Sequence, residues 1–137
     1  MSEINKEIVR RFNREVIEKG DRAVFESLFD DEFINHSAPP GMPNGAEGMW
    51  HTFENILRPA LSGLKVTIHD QIAEGDKITT RKSISGKHTG PLMGIAPTGH
   101  AVSIGVIDIV AIRNGKYIAH WGVNTLPSVL LALQKQA

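Results

Sequence analysis

The chain has 137 residues, 41% of them hydrophobic, which suits one domain spanning 1–137 around one core. Its 15 basic residues balance 15 acidic ones without a basic run, so no nucleic-acid partner is expected. Cysteine is absent, which excludes disulfides, thiolate nucleophiles and Cys-bound zinc; no signal peptide and no apolar run of the roughly 18 residues that a membrane span needs can be read, so the expectation is a cytoplasmic protein without a membrane partner.

Residues 3–19 read as an amphipathic helix. Ile4, Ile8, Phe12 and Val16 step at fours, and Val9 and Ile17 widen the stripe. Ser2 is a candidate cap and Gly20 a stop. Asp21 then caps a shorter helix carrying Val24, Leu28 and Phe29, and residues 30–36 form an extended piece ending in Asn35-His36. Residues 37–45 form a Pro/Gly loop. A third helix spans about 46–61, with Trp50, Phe53, Ile56, Leu57 and Leu61 on its buried side and Pro59 kinking or shortening its last turn.

From Leu64 the period changes to two. Val66, Ile68 and Ile72 mark a half-buried strand, and Glu74-Gly75-Asp76 turns the chain. Residues 77–88 form a second strand, with Ile78 and Ile84 on one face and Arg81 on the other. A Gly/Pro loop (89–100) precedes two apolar runs that flank Asn114-Gly115, the strongest short hairpin signal. A terminal helix over 126–135 has Pro127 in its first turn. Helices followed by antiparallel strands give an α+β fold, in which a curved sheet around the first helices leaves a pocket.

Asp108 lies within one apolar strand of the hairpin, and a carboxylate there is costly to bury unless paired or protonated. His120 and Trp121 lie on the other. A two-residue turn pairing Arg113 with Lys116 sets Asp108 opposite Trp121, with His120 on the far face. A bulge at Gly115 sets Asp108 opposite Gly122, with His120 diagonally beside it.

The stretches GKHTGPLMGIAPTG and GVIDIVAIRNGKYIAHWGV, with Asn35-His36 and the Ala-Glu-Gly-Asp turn at 73–76, resemble the SnoaL-like polyketide cyclases, often labelled ester cyclases, of the nuclear transport factor 2-like superfamily. The resemblance covers nearly the whole chain. It implies an α+β cone with helices packed in a strongly curved antiparallel sheet, a central pocket and a homodimer. It also implies acid/base chemistry such as aldol ring closure or isomerisation on a small apolar carbonyl compound or polyketide-like ester. The family carries His-x-Asp on the last strand, whereas this chain has His120-Trp121-Gly122, and Asp108 stands on the partner strand where the cyclases have a second His. The resemblance favours the bulged register, which puts Val106, Asp108, Val110 and Ile112 on the pocket face with Ile118 and His120.

Asp108 and His120 are therefore the candidate catalytic pair. Either Asp108 orients His120 as general base, or desolvation raises the Asp108 pKa so that it moves the proton itself, a pattern resembling ketosteroid isomerase, one of the well-known cases of a tuned carboxyl. The alternative is a non-catalytic ligand-binding or dimerisation module with a satisfied Asp–His contact in its wall. Arg81, Asn35, His36, Trp50, Phe53, Val106, Val110 and Ile118 are candidate substrate contacts. The bland counterparts are an exposed strand charge for Arg81, a local turn contact for Asn35 and His36, and core packing for Trp50 and Phe53. An epoxide hydrolase-like Asp–Arg–Asp set would find only Asp108 and Arg81. The six histidines show no short ligand spacing, so neither a metal nor a cofactor is expected, and His88 and His100 read as solvated loop residues.

Overall fold

The computed structural model describes residues 2–136. Helix α1 (Ser2–Arg11) runs on without a break as a π-helical stretch, Phe12–Glu18. Val9, Phe12, Asn13, Val16 and Ile17 are buried along it, while Ile4, expected to lead the apolar stripe, is exposed. The helix stops at Gly20, whose φ of +70° suits a glycine and whose N–H donates to Val16 O. Asp21 caps α2 (Arg22–Leu28) by accepting from the Val24 N–H at 3.1 Å. Helix α3 (Ala46–His51) also widens into a π stretch, Thr52–Leu57, and ends with Arg58–Ala60, so Pro59 shortens it and Leu61 opens the next strand. Helix α4 (Leu126–Gln136) closes the chain.

Five strands form one curved sheet in the order β1-β5-β4-β3-β2: β1 (Phe29–Asn35), β2 (Leu61–Glu74), β3 (Lys77–His88), β4 (Ala101–Arg113) and β5 (Lys116–Asn124). The pairs β2–β3, β3–β4 and β4–β5 are antiparallel, and β1 joins the edge of β5 in parallel. The helices pack inside the curve. An aromatic cluster binds the two layers, with Phe12 at 5.0 Å from Tyr117 and Phe29 at 4.9 Å from Tyr117 and 4.6 Å from Phe25.

Irregularities in the ladders decide which side chains face inward. In β2 the register shifts between Ile68 and Asp70, so Val66 and Ile68 pair with the inward Ile84 and Lys82, while Ile72 pairs with Thr79 and is exposed. The expected alternation through Ile72 is broken by that extra residue. In the β4–β5 hairpin, Asn114 (φ 54°) and Gly115 (φ 76°) form a tight two-residue turn and Arg113 pairs with Lys116. The bulge lies further on: Ile112 pairs with Tyr117 but Ala111 with Ala119, leaving Ile118 as the extra residue. Asp108 therefore faces Gly122 without any bulge at Gly115.

The 89–100 loop is not open. Leu92 and Ile95 are buried and bridge each other, and His88, expected to be solvated, is fully buried and accepts from the Thr98 N–H at 3.2 Å. Gly90 is required there, because a Cβ would stand 2.2 Å from Pro59 O. None of the helices among the described residues is long and apolar enough to cross a membrane.

Ile78 is fully buried beneath the helices. We expect Ile78→Ala to lower the urea-unfolding free energy by about 2–5 kcal/mol, and Ile4→Ala to change it by less than about 0.5 kcal/mol.

Candidate active site

A cavity of about 720 Å³ opens between the helices and the concave face of the sheet. Its walls are mainly apolar, with Phe12, Phe53, Met49, Leu57, Ile104 and Val106 among them. Five polar side chains gather at one region of its lining: Asn35, Lys82, Asp108, Tyr117 and His120.

Strand alternation brings the carboxylate and its partners together. Asp108 pairs with Thr80 across one ladder and Gly122 across the other, and Val110, two residues on, pairs with His120. Asp108 and His120 thus sit diagonally on the inner face, with His120 Nε2 at 3.4 Å from Asp108 Oδ2. On β3, Lys82 shares the inner face with Ile78 and Ile84, and its Nζ lies 3.4 Å from the same carboxylate oxygen. Asp108 is 6% exposed and Lys82 4%, so this is a buried ion pair.

Burial by itself pushes the Asp108 carboxyl up. The Lys82 ammonium and then the His120 ring outweigh that, and Asp108 is held below the ordinary carboxylate range. The expected alternative of a carboxyl raised by desolvation therefore does not hold. His120 has an acceptor on each side: Asn35 Oδ1 lies 2.9 Å from Nδ1 and Asp108 Oδ2 faces Nε2. Asn35 Oδ1 also accepts from the Ser37 N–H at 3.0 Å, which identifies that atom as the oxygen. Both ring nitrogens are thus directed at protein oxygens, and the ring braces the carboxylate.

Two buried polar atoms of the lining have no hydrogen-bond partner among the described residues, Asp108 Oδ1 and the Tyr117 hydroxyl. Burial first, and the Asp108 charge second, push the Tyr117 phenol well above its ordinary range, so it is a neutral O–H. The lining thus holds an unpartnered oxygen of a carboxylate that is ionised at neutral pH and an unpartnered hydroxyl that can donate.

Of the residues singled out in the sequence, the fold brings Asp108, His120, Asn35, Phe53 and Val106 to the cavity. Five others lie outside its lining. Arg81 is on the outer face of β3, paired with its cross-strand neighbour Asp70 at 2.6 Å, so no Asp–Arg–Asp set forms with Asp108. His36 follows the inward Asn35 and stacks on Trp121 with ring centroids 4.8 Å apart. Trp50 packs on Phe25 at 5.0 Å, between the guanidinium groups of Arg22 and Arg58. Val110 is buried in the core, and Ile118 is the bulge residue.

Sequence reasoning missed Lys82, Tyr117 and Asn13. The Lys82 signal was present, since period two from Ile78 to Ile84 puts it on the buried face. Asn13 stands four residues after Val9 on the buried helix stripe. Tyr117 carried no such signal, because the bulge at Ile118 sets its direction.

Among the described residues no three His, Asp or Glu side chains come together as a metal site.

A family model for SnoaL-like polyketide cyclases matches residues 7–132. The chain belongs to the SnoaL-like polyketide cyclase family. Solved structures agree on the nuclear transport factor 2-like cone. TsrD from Streptomyces laurentii is 27% identical with a TM-score of 0.82, covering 99% of this chain and 96% of its own. A candidate polyketide cyclase from Acidithiobacillus ferrooxidans is 20% identical with a TM-score of 0.85, covering 100% and 99%. A LEH-like epoxide hydrolase from M. tuberculosis is 14% identical with a TM-score of 0.70, covering 98% and 92%. No curated protein matches.

This SnoaL-like chain has Gly122 where the family pattern noted above has an acid. A Cβ at Gly122 would lie 2.9 Å from His120 Cε1 and 3.3 Å from Asp108 Cβ. A side chain at 122 and the Asp108–His120 contact therefore compete for one space, and the acid stands on the cross-strand partner instead.

Lys82→Met leaves Asp108 buried without its cation and is expected to cost about 3–5 kcal/mol at pH 7 by urea unfolding, part of it regained in Lys82→Met/Asp108→Asn. The pH dependence has a definite sign. A carboxyl whose folded pKa is depressed contributes fully above about pH 4 and loses that contribution as pH falls through the folded value. The stability difference between the native chain and Asp108→Asn should therefore shrink below about pH 4, measured by urea unfolding across pH.

Proposed function

We propose that the chain is an acid/base enzyme acting on a small apolar carbonyl compound or polyketide-like ester, by aldol-type ring closure or isomerisation. The observation that carries this reading is the ionised Asp108 with its Oδ1 unpartnered, in the lining of one mainly apolar cavity together with the unpartnered Tyr117 hydroxyl.

The Asp108 carboxylate takes a proton from the carbon next to the substrate carbonyl. The C–H electron pair becomes the enolate double bond, and the negative charge moves to the carbonyl oxygen, where the Tyr117 O–H donates a hydrogen bond. Protonating Asp108 removes the charge that neutralised Lys82, so the ammonium then stabilises the enolate. In ring closure the enolate carbon attacks a second carbonyl of the same molecule, whose oxygen takes the proton back from Asp108. His120, held by Asn35, keeps the carboxylate in place. The depressed Asp108 pKa makes it a weak base, but the lost carboxylate charge is replaced by an enolate charge in the same field.

The competing reading is a ligand-binding module without turnover, which the absence of an acid at Gly122 favours. Exchange of the α-protons of 2-tetralone in D₂O, followed by NMR, separates the two. Acid/base function predicts exchange that Asp108→Asn lowers by about 100-fold or more. Exchange that is undetectable, or equal in the native chain and the variant, sinks the catalytic reading.

We also propose a homodimer formed through the outer face of the sheet. Ile34, Ile107, Trp121 and Val123 are exposed there on three adjacent strands, beside the Arg81–Asp70 pair. Light scattering at micromolar concentration should give twice the chain mass, and Ile107→Asp/Val123→Asp the monomer mass.

A further inference from the structure

Asn13 has no part in the chemistry above, yet it is 2% exposed on the π-helical stretch that faces the sheet. Stretches of this kind are rare and often occur at functional sites. Both ends of its amide are used. Nδ2 donates to Val9 O at 2.8 Å, which fixes the rotamer, and Oδ1 accepts from Lys82 Nζ at 2.6 Å. That contact is shorter than the 3.4 Å between Lys82 and Asp108. The ammonium is therefore drawn toward the helix and meets the carboxylate on one oxygen, Oδ2, while Oδ1 stays unpartnered.

We propose that Asn13 is a positioning residue for the site: it holds the Lys82 ammonium off centre, so that Lys82 neutralises Asp108 through Oδ2 and leaves Oδ1 unpartnered. The chemistry of the amide suits this role. A neutral acceptor orients the ammonium but leaves its charge to Asp108, and the same amide also donates to Val9 O. A carboxylate at this position would share the charge. An apolar side chain would release Lys82 onto Asp108. The groups facing Asp108 are Lys82 from β3, with His120 and Tyr117 from β5, and the helix reaches it only through neutral Asn13.

This proposal rests on the reading of Asp108 as the working carboxylate, so its test follows the carboxylate itself, with no substrate present. The Asp108 side-chain carbon is titrated by ¹³C NMR in the native chain, Asn13→Asp and Asn13→Leu, with folding checked by circular dichroism. Asn13→Asp should raise the Asp108 midpoint by about one pH unit, a tenfold change, and Asn13→Leu should lower it. A merely structural role would change the melting temperature and leave both midpoints at the native value, which overturns the proposal. So do shifts of the same sign in both variants. If Asn13→Asp does not fold, Asn13→Leu decides alone: a lowered midpoint supports the proposal, and an unchanged or raised one refutes it. Opposite shifts alongside full α-proton exchange in Asp108→Asn would leave Asn13 as the organiser of the ion pair and reject Asp108 as the base.

Discussion

Lys82 and Asp108 face each other at 3.4 Å inside the cone, and most of the site follows from how those two charges are met. Burying a charge costs several kcal/mol even after relaxation, and a single partner rarely repays it. Here each ion has a second contact. Lys82 is bonded to Asn13, and Asp108 to His120, which is itself held by Asn35. The chain of contacts runs from the π-helical stretch after α1 across β3, β4 and β5 to the end of β1. It leaves one carboxylate oxygen without a partner, and the Tyr117 phenol of the same cavity lining is in the same condition.

The sheet supplies this arrangement through its irregularities as much as through its regular ladders. One extra residue at Ile118 turns Tyr117 inward with Ile112 and keeps His120 on the same face as Asp108. Another between Ile68 and Asp70 puts Ile72 outside and Gln71 inside, where it meets Arg10 from α1. Gly122 leaves the space that the Asp108–His120 contact fills. Because side chains alternate with a period of two, each extra residue reverses the facing of everything beyond it. A small number of insertions thus decides the composition of the cavity wall.

The likeness to proteins described as cyclases and as an epoxide hydrolase establishes a shared cone. It does not extend to shared chemistry, because one fold hosts many sites. What separates this chain is the placement of its charges. Arg81, the candidate partner for an epoxide hydrolase-like set, is committed to Asp70 on the outer face. Lys82, one residue on, is committed to Asp108 on the inner face. One step along a strand exchanges a surface ion pair, worth little, for a buried one that holds the site together.

Much of the fold could be read from local patterns. The stripe from Val9 to Ile17, the Asp21 cap, the Gly20 stop, the Asn114-Gly115 turn and the alternation in β3 are all short-range signals, and each is realised at its place. The resemblance carried by the hairpin motifs led to the right family and cone. Asp108 stood out because a carboxylate in an apolar strand needs a reason. Tertiary structure alone decided its partners. The two hairpin registers differed by one residue, and the answer combined the turn of one with the pairing of the other, because the bulge formed at Ile118, where no glycine or other turn residue marks it. Lys82 and Asn13 are 69 residues apart, and their contact exists only once the helix is laid into the sheet. Local sequence determines which elements form and which face of each is apolar. Which polar groups meet inside depends on register and on packing between distant segments, and neither is written in any short stretch of the chain.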